Sequence, residues 1–194
     1  MEKKYNIDEL TLEYFLTTMI IVSKNKCLAG GLNREAEEVM ARFNKHCKIK
    51  NEDDKECVKQ YFTATSNYSI YAGIIISLYS EFEKYIKYIF NIKGKNTSDF
   101  TTILEKEHGY NIKDKNIYGE FQKVRMINNS IKHGYPREEF IKKYKELIVA
   151  NEEKEDIYQH EFNFSDDLID ECCLTLIKVA KELFEFAKSK CINN

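Results

Sequence analysis

The stretch from Phe121 to Tyr135, FQKVRMINNSIKHGY, gathers residue types from which chemistry on a phosphate ester can be built. Arg125, Asn129 and His133 stand at i, i+4 and i+8, so at about 100° per residue they form one polar stripe along a helix. Histidine exchanges a proton near neutral pH, arginine carries a fixed charge, and an asparagine amide can orient either of them. The same helix carries an apolar stripe of Phe121, Val124, Ile127 and Ile131 and must therefore pack one face against a core. Asn128 falls within that apolar stripe. Together Asn128, Asn129 and Ser130 cost a helix interior roughly 1–2 kcal/mol relative to alanine, which either a function or a satisfied polar patch between helices would offset. Gly134 supplies a permissive residue after the last turn and Pro136 stops the helix, so His133 is expected at the helix exit, near solvent. A cap residue favoured by the helix dipole would sit there too.

The segment is also basic. Lys123, Arg125, Lys132, Arg137, Lys142, Lys143 and Lys145 face only Glu138 and Glu139, a surplus of five in a chain of formal net charge −2. The bulk charge gives no electrostatic case for nucleic acid, so any such case rests on this segment.

INNSIKHGY, preceded a helix earlier by SLYSEFEKYIKYIF, resembles the HEPN superfamily (higher eukaryotes and prokaryotes nucleotide-binding domain), similar to its ribonuclease toxin and abortive-infection branches. Members carry an Arg-Asn-x-x-x-His signature late in a four-helix core. Asn129 and His133 fall on the family's Asn and His, and Tyr135 falls where the toxin branch carries a tyrosine that partner nucleotidyltransferases modify. The family's arginine position holds Asn128, and Arg125 stands one turn earlier. The resemblance implies a metal-independent endoribonuclease acting in antiviral defence or as a toxin, without a cofactor. RNA is then the partner, together with an antitoxin or defence-system protein. Within that reading His133, Asn129, Arg125 and Asn128 form the catalytic set, with Lys123, Lys132 and Arg137 on the phosphates and Glu83 and Tyr135 in support. It also implies a homodimer in which residue 133 faces its mate across a twofold axis and the two basic segments form one groove. The alternative is a degenerate HEPN-like binding or assembly module, in which Asn128 in place of arginine has ended cleavage. Restoring arginine at 128 is then expected to raise activity.

At 194 residues the chain can bury one sizeable core, and no composition shift divides it. A hydrophobic content of 43% excludes wholesale disorder, while 32% charged residues and a single proline fit long amphipathic helices. The expected class is all-α, a HEPN-like bundle of long antiparallel helices in a single domain, with residues 1–50 as an N-terminal helical extension and 55–190 as the core. The six cysteines show no framework spacing, no signal peptide is visible, and no apolar run is long enough to span a bilayer. A soluble cytoplasmic protein is expected. His46, Cys47 and Cys57 lack the fourth ligand and the pairing of a closed zinc site, so no metal is expected.

In chain order, a loose pattern from Ile7 to about Ala29 stops at Gly30-Gly31, and Asn33 can cap a second helix from Arg34 to about Cys47. Asp53 or Asp54 can cap a long helix from about Lys55 to Ile92, where Ile75, Leu78, Tyr79, Phe82, Ile86 and Ile89 make the most sustained apolar stripe. Glu83 beside that stripe is a candidate carboxylate partner for Arg125 or Asn128. Thr97 or Ser98 caps a short helix that Gly109 closes. The runs 147–150 and 157–164 read as a small β-hairpin before the last helix, which Ser165 caps ahead of Asp166 and Asp167.

Overall fold

The computed structural model describes residues 5–27, 42, 51–93, 100–133, 138–149 and 161–192. The fold is all-α. In chain order the described elements are α1 (Glu9–Lys24), α2 (Glu52–Ile89), α3 (Phe100–His108), α4 (Tyr118–His133), α5 (Glu138–Lys143) and α6 (Asp166–Ile192). The hairpin before α6 reduces to a two-residue antiparallel ladder of β1 (Ile148–Val149) and β2 (Glu161–Phe162), with Ile148 opposite Phe162. No helix of the described residues is long and apolar enough to cross a membrane.

The helix ends follow local chemistry. The Asp8 carboxylate accepts from the backbone N–H of Leu10 at 3.1 Å, so α1 starts at Glu9 rather than Ile7, and it closes at Lys24 in a turn through Asn25. Asn51 accepts from the Asp53 N–H at 3.1 Å, so α2 starts at Glu52 instead of Lys55; an asparagine cap places Asp53 in the first turn, where the helix dipole favours an acid. At the other end Asn91 takes φ +49°, a left-handed exit that stops α2 at Ile89 instead of Ile92. Gly109 (φ +71°) closes α3, with the Tyr110 N–H reaching back to the Leu104 carbonyl at 2.9 Å. Ser165 caps α6 as expected, its hydroxyl accepting from the Leu168 N–H at 3.2 Å. Apart from Arg42, the expected helix over 34–47 lies outside the described residues, as do its Gly30-Gly31 break and the caps at Thr97 or Ser98.

Among the described residues α1, α2, α4 and α6 are the long helices, and each of α1 and α4 packs against both α2 and α6, which also pack on each other. Cross-links fix the levels: on α6, Asp170 and Lys188 meet the α1 segment through Lys26 and Glu9, while Glu171 and Lys178 meet α4 through Lys123 and Glu120. Since α1 and α4 overlap along α6 without a substantial contact with one another among the described residues, they flank the α2–α6 pair on opposite sides. The order of these links makes α1 and α4 antiparallel to α6. Residues 5–24 are thus part of the bundle, with Phe15 and Met19 in the core, and not an appendage to it.

Phe82 of α2, Phe100 of α3 and Phe121 of α4 form a ring cluster with centroids 5.7 to 5.8 Å apart, which holds the motif helix against the core. Phe82 and Phe121 are wholly buried, and truncating such a ring to alanine costs about 3–5 kcal/mol. Phe140 plays the same part for α5, its ring 5.4 Å from Phe162 of β2 and 5.0 Å from Tyr144.

Candidate functional site

Along α4 the apolar stripe predicted from spacing is buried: Phe121, Val124 and Ile127 are enclosed and Ile131 is half-buried. Asn128 is enclosed with them. Its exposure is 0%, and neither its amide nitrogen nor its amide oxygen has a hydrogen-bond partner among the described residues. It lies in the core and not on the face a ligand could reach. Glu83, half-buried on α2, therefore does not supply the carboxylate contact expected for Asn128.

The opposite face of α4 opens on a cleft. About 250 Å³ in volume, it lies between α4 and α5 and is lined by Gln122, Met126, Asn129, Ser130 and His133 from α4, and by Glu139 and Phe140 from α5. Two residues singled out by the sequence, Asn129 and His133, are therefore brought together, both with exposed side chains. His133 is the last residue of α4, at the exit predicted from Gly134 and Pro136. The wall is held from within: the Gln122 amide donates to the Tyr118 hydroxyl, and the Ser130 hydroxyl donates to the Met126 carbonyl at 2.8 Å.

The expected basic groups divide. Lys132 is exposed, its Nζ 5.8 Å from the centroid of Tyr79 on α2, and half-buried Arg125 stands two turns before it on the same side of α4. That edge runs along α2, whereas the cleft opens toward α5, and Arg125 is not one of the cleft's lining residues. Lys123 is committed elsewhere: its Nζ donates to both carboxylate oxygens of Glu171 on α6, at 2.9 and 3.0 Å, and lies 5.8 Å from the Tyr144 ring. A phosphate would have to compete with that bidentate pair. Tyr135 and Arg137 lie outside the described residues, as do His46 and Cys47. Among the described residues no three His, Cys, Asp or Glu side chains group as metal ligands.

No family model matches the chain, and comparison with curated proteins and with solved structures finds no match either.

Sequence reasoning missed Gln122, Met126 and Glu139. The first two had a signal, because Gln122, Met126, Asn129 and His133 stand at i, i+4, i+7 and i+11 and so share one helical face. Glu139 had none, since only the return of the chain after Pro136 turns it toward α4.

Chemically the cleft offers an imidazole, a carboxylate and two amides around a volume that admits a sugar-phosphate fragment. Imidazole and carboxylate can exchange protons with a substrate, and the amides can fix its orientation.

Proposed function

We propose that the cleft between α4 and α5 binds single-stranded RNA and cleaves it by attack of the RNA's own 2′-hydroxyl on the adjacent phosphate. The reading is supported by one observation above the rest: Asn129 and His133, the two positions that coincide with the HEPN-like signature, line a common cleft with Glu139. Cleavage of this kind moves two protons, one from the 2′-hydroxyl and one to the departing 5′-oxygen. The Glu139 carboxylate takes the first and the His133 imidazolium gives the second. The P–O bond to the 5′-oxygen breaks as the bond to the 2′-oxygen forms, which leaves a 2′,3′-cyclic phosphate and a 5′-hydroxyl. Asn129 orients His133 or a phosphate oxygen, and Lys132 on the neighbouring edge adds positive potential for the strand. With Glu139 in the cleft, one chain holds both proton-transfer groups, and a facing copy of His133 is not required. A cytoplasmic toxin or antiviral effector, held in check by a partner protein, is the setting this activity suits.

A second reading is favoured by Asn128. The position that carries arginine in the HEPN signature here holds a neutral, buried side chain, which is what a chain that binds RNA without cutting it would show. Incubation with a fluorescent single-stranded RNA in EDTA separates the two. The nuclease reading predicts cleavage by the wild-type protein that falls at least about 100-fold in His133→Ala. Intact RNA bound equally by both proteins would establish the binding module.

A further inference from the structure

On the side of the bundle away from the cleft, α1 carries an outward apolar stripe. Leu10, Tyr14 and Ile21 are 73%, 73% and 60% exposed, and with Thr17 they stand at i, i+4, i+7 and i+11, so they form one continuous row. Ile20, 51% exposed, borders it. Isolated apolar side chains on a surface are ordinary, but an aligned row on one helix is the mark of a contact surface.

The charges on this helix say what fits there. Glu13 lies toward the N-terminal end of the row and Lys24 at its C-terminal end; both are exposed, and neither forms an ion pair among the described residues. A helix so marked is complementary to itself in the antiparallel sense alone, because a parallel pairing would set Glu13 against Glu13. Between α1 and α2, next to the row, lies a mostly apolar groove of about 160 Å³ whose walls include Tyr14, Tyr85 and Tyr88.

We propose that two copies of the chain pair through this face, α1 against α1, antiparallel about a twofold axis at Thr17. In that register Ile20 of one copy stands at the level of Tyr14 of the other, Glu13 comes within reach of Lys24, and the small Thr17 lets the helix axes approach closely. A face of 16 residues, roughly 24 Å long, covers less than the approximately 800 Å² per partner of a standard interface, so the association is of micromolar strength. Because α1 and α4 lie on opposite flanks of the α2–α6 pair, the two clefts of such a dimer face away from each other and each is complete in itself.

The proposal stands apart from any activity and is tested by sedimentation velocity across the micromolar range. The wild-type chain should pass from monomer to dimer, while Ile21→Glu, a change at an exposed position that leaves the core intact, should remain monomeric. Glu13→Lys and Lys24→Glu should each weaken the dimer at least about tenfold, and an equimolar mixture of the two variants should recover it as a heterodimer, since both charged contacts across the axis then join opposite signs again. A wild-type monomer at every concentration would overturn the proposal. So would a dimer indifferent to Ile21→Glu, or a mixture that fails to recover; a monomer in which Tyr14 resists nitration would show instead that the chain covers the face with its own residues.

Discussion

His133 ends α4 and Glu139 lies in the first turn of α5, and both line the cleft between these helices. If they divide the two proton transfers of RNA cleavage, the variants should differ in kind from a binding defect. Glu139→Gln keeps the shape of the side chain but cannot accept a proton; it is expected to lower kcat about 100-fold or more with KM little changed. Stopped-time assays from pH 5 to 9 measure this. A rise in KM with kcat intact would make Glu139 a binding residue only.

Asn128 gives a prediction about stability. A buried amide without partners carries a desolvation penalty of about 1–3 kcal/mol, so Asn128→Leu, similar in volume and apolar, is expected to raise the unfolding free energy by roughly that amount in urea titrations. Asn128→Arg, attractive from the HEPN-like signature alone, would place an unpaired charge among Val124, Phe121 and their neighbours; a loss of several kcal/mol and a largely unfolded protein are expected, not a gain of activity. An Asn128→Leu protein less stable than wild type would show that the amide is satisfied in solution.

Lys123 and Lys132 should separate when each is replaced by alanine. The Lys123–Glu171 pair ties α4 to α6 and is partly exposed, so its loss is expected to lower stability by about 1 kcal/mol or less while leaving RNA affinity within twofold. Lys132→Ala should leave stability nearly unchanged, weaken RNA binding, and reduce the salt slope by roughly 0.7, the contribution of one phosphate contact on a single strand. Fluorescence anisotropy at several salt concentrations reads the binding of both variants, and urea titration reads their stability.

Alkaline pH should loosen the bundle before it damages the chain. Burial pushes the Cys172 thiol from its ordinary 9.0 up to about 12, and burial with a hydrogen bond to Asp166 pushes the Tyr71 hydroxyl from 10.0 up to about 12. Both groups keep their protons in the folded chain at a pH where the unfolded chain has lost them, so stability is full below about 9 and falls as pH rises from there toward 12. Urea midpoints at pH 8 and pH 10.5 should show the decline, and Cys172→Ala should reduce its slope. The same burial predicts that maleimide labels Cys27 and Cys191 promptly, and Cys172 only on unfolding. A Cys172 labelled as fast as Cys191 would contradict the packing of α6.

Helices and core could be read from the sequence because the apolar spacing that signals a helix is also what buries it, as at Ile75, Leu78, Phe82 and Ile86 on α2 or Leu176, Val179 and Leu183 on α6. Ends were less legible. Asn51 and Asp53 are both good caps, and nothing local in the chain chooses between them, while the left-handed exit at Asn91 is an option that asparagine merely permits. At the site, Asn129 and His133 could be found because a helix fixes which residues share a face. Glu139 could not, since it reaches the cleft only through the fold of the chain after Pro136 and the anchoring of Phe140 on Phe162. The same limit misled in the other direction: Lys123 is basic and lies beside the motif, yet Glu171, 48 residues later, takes up its charge.

Whether the cleft cuts RNA through the RNA's own 2′-hydroxyl is decided by mass spectrometry of the products from a defined oligoribonucleotide and from the same oligonucleotide with a single 2′-deoxy residue at the cleavage position. Attack by the 2′-hydroxyl predicts 2′,3′-cyclic phosphate and 5′-hydroxyl ends from the first in the presence of EDTA, no cleavage of the second at that position, and neither product with His133→Ala. Cleavage of the 2′-deoxy oligonucleotide at that position, or cyclic phosphate ends formed equally well by His133→Ala, would contradict it.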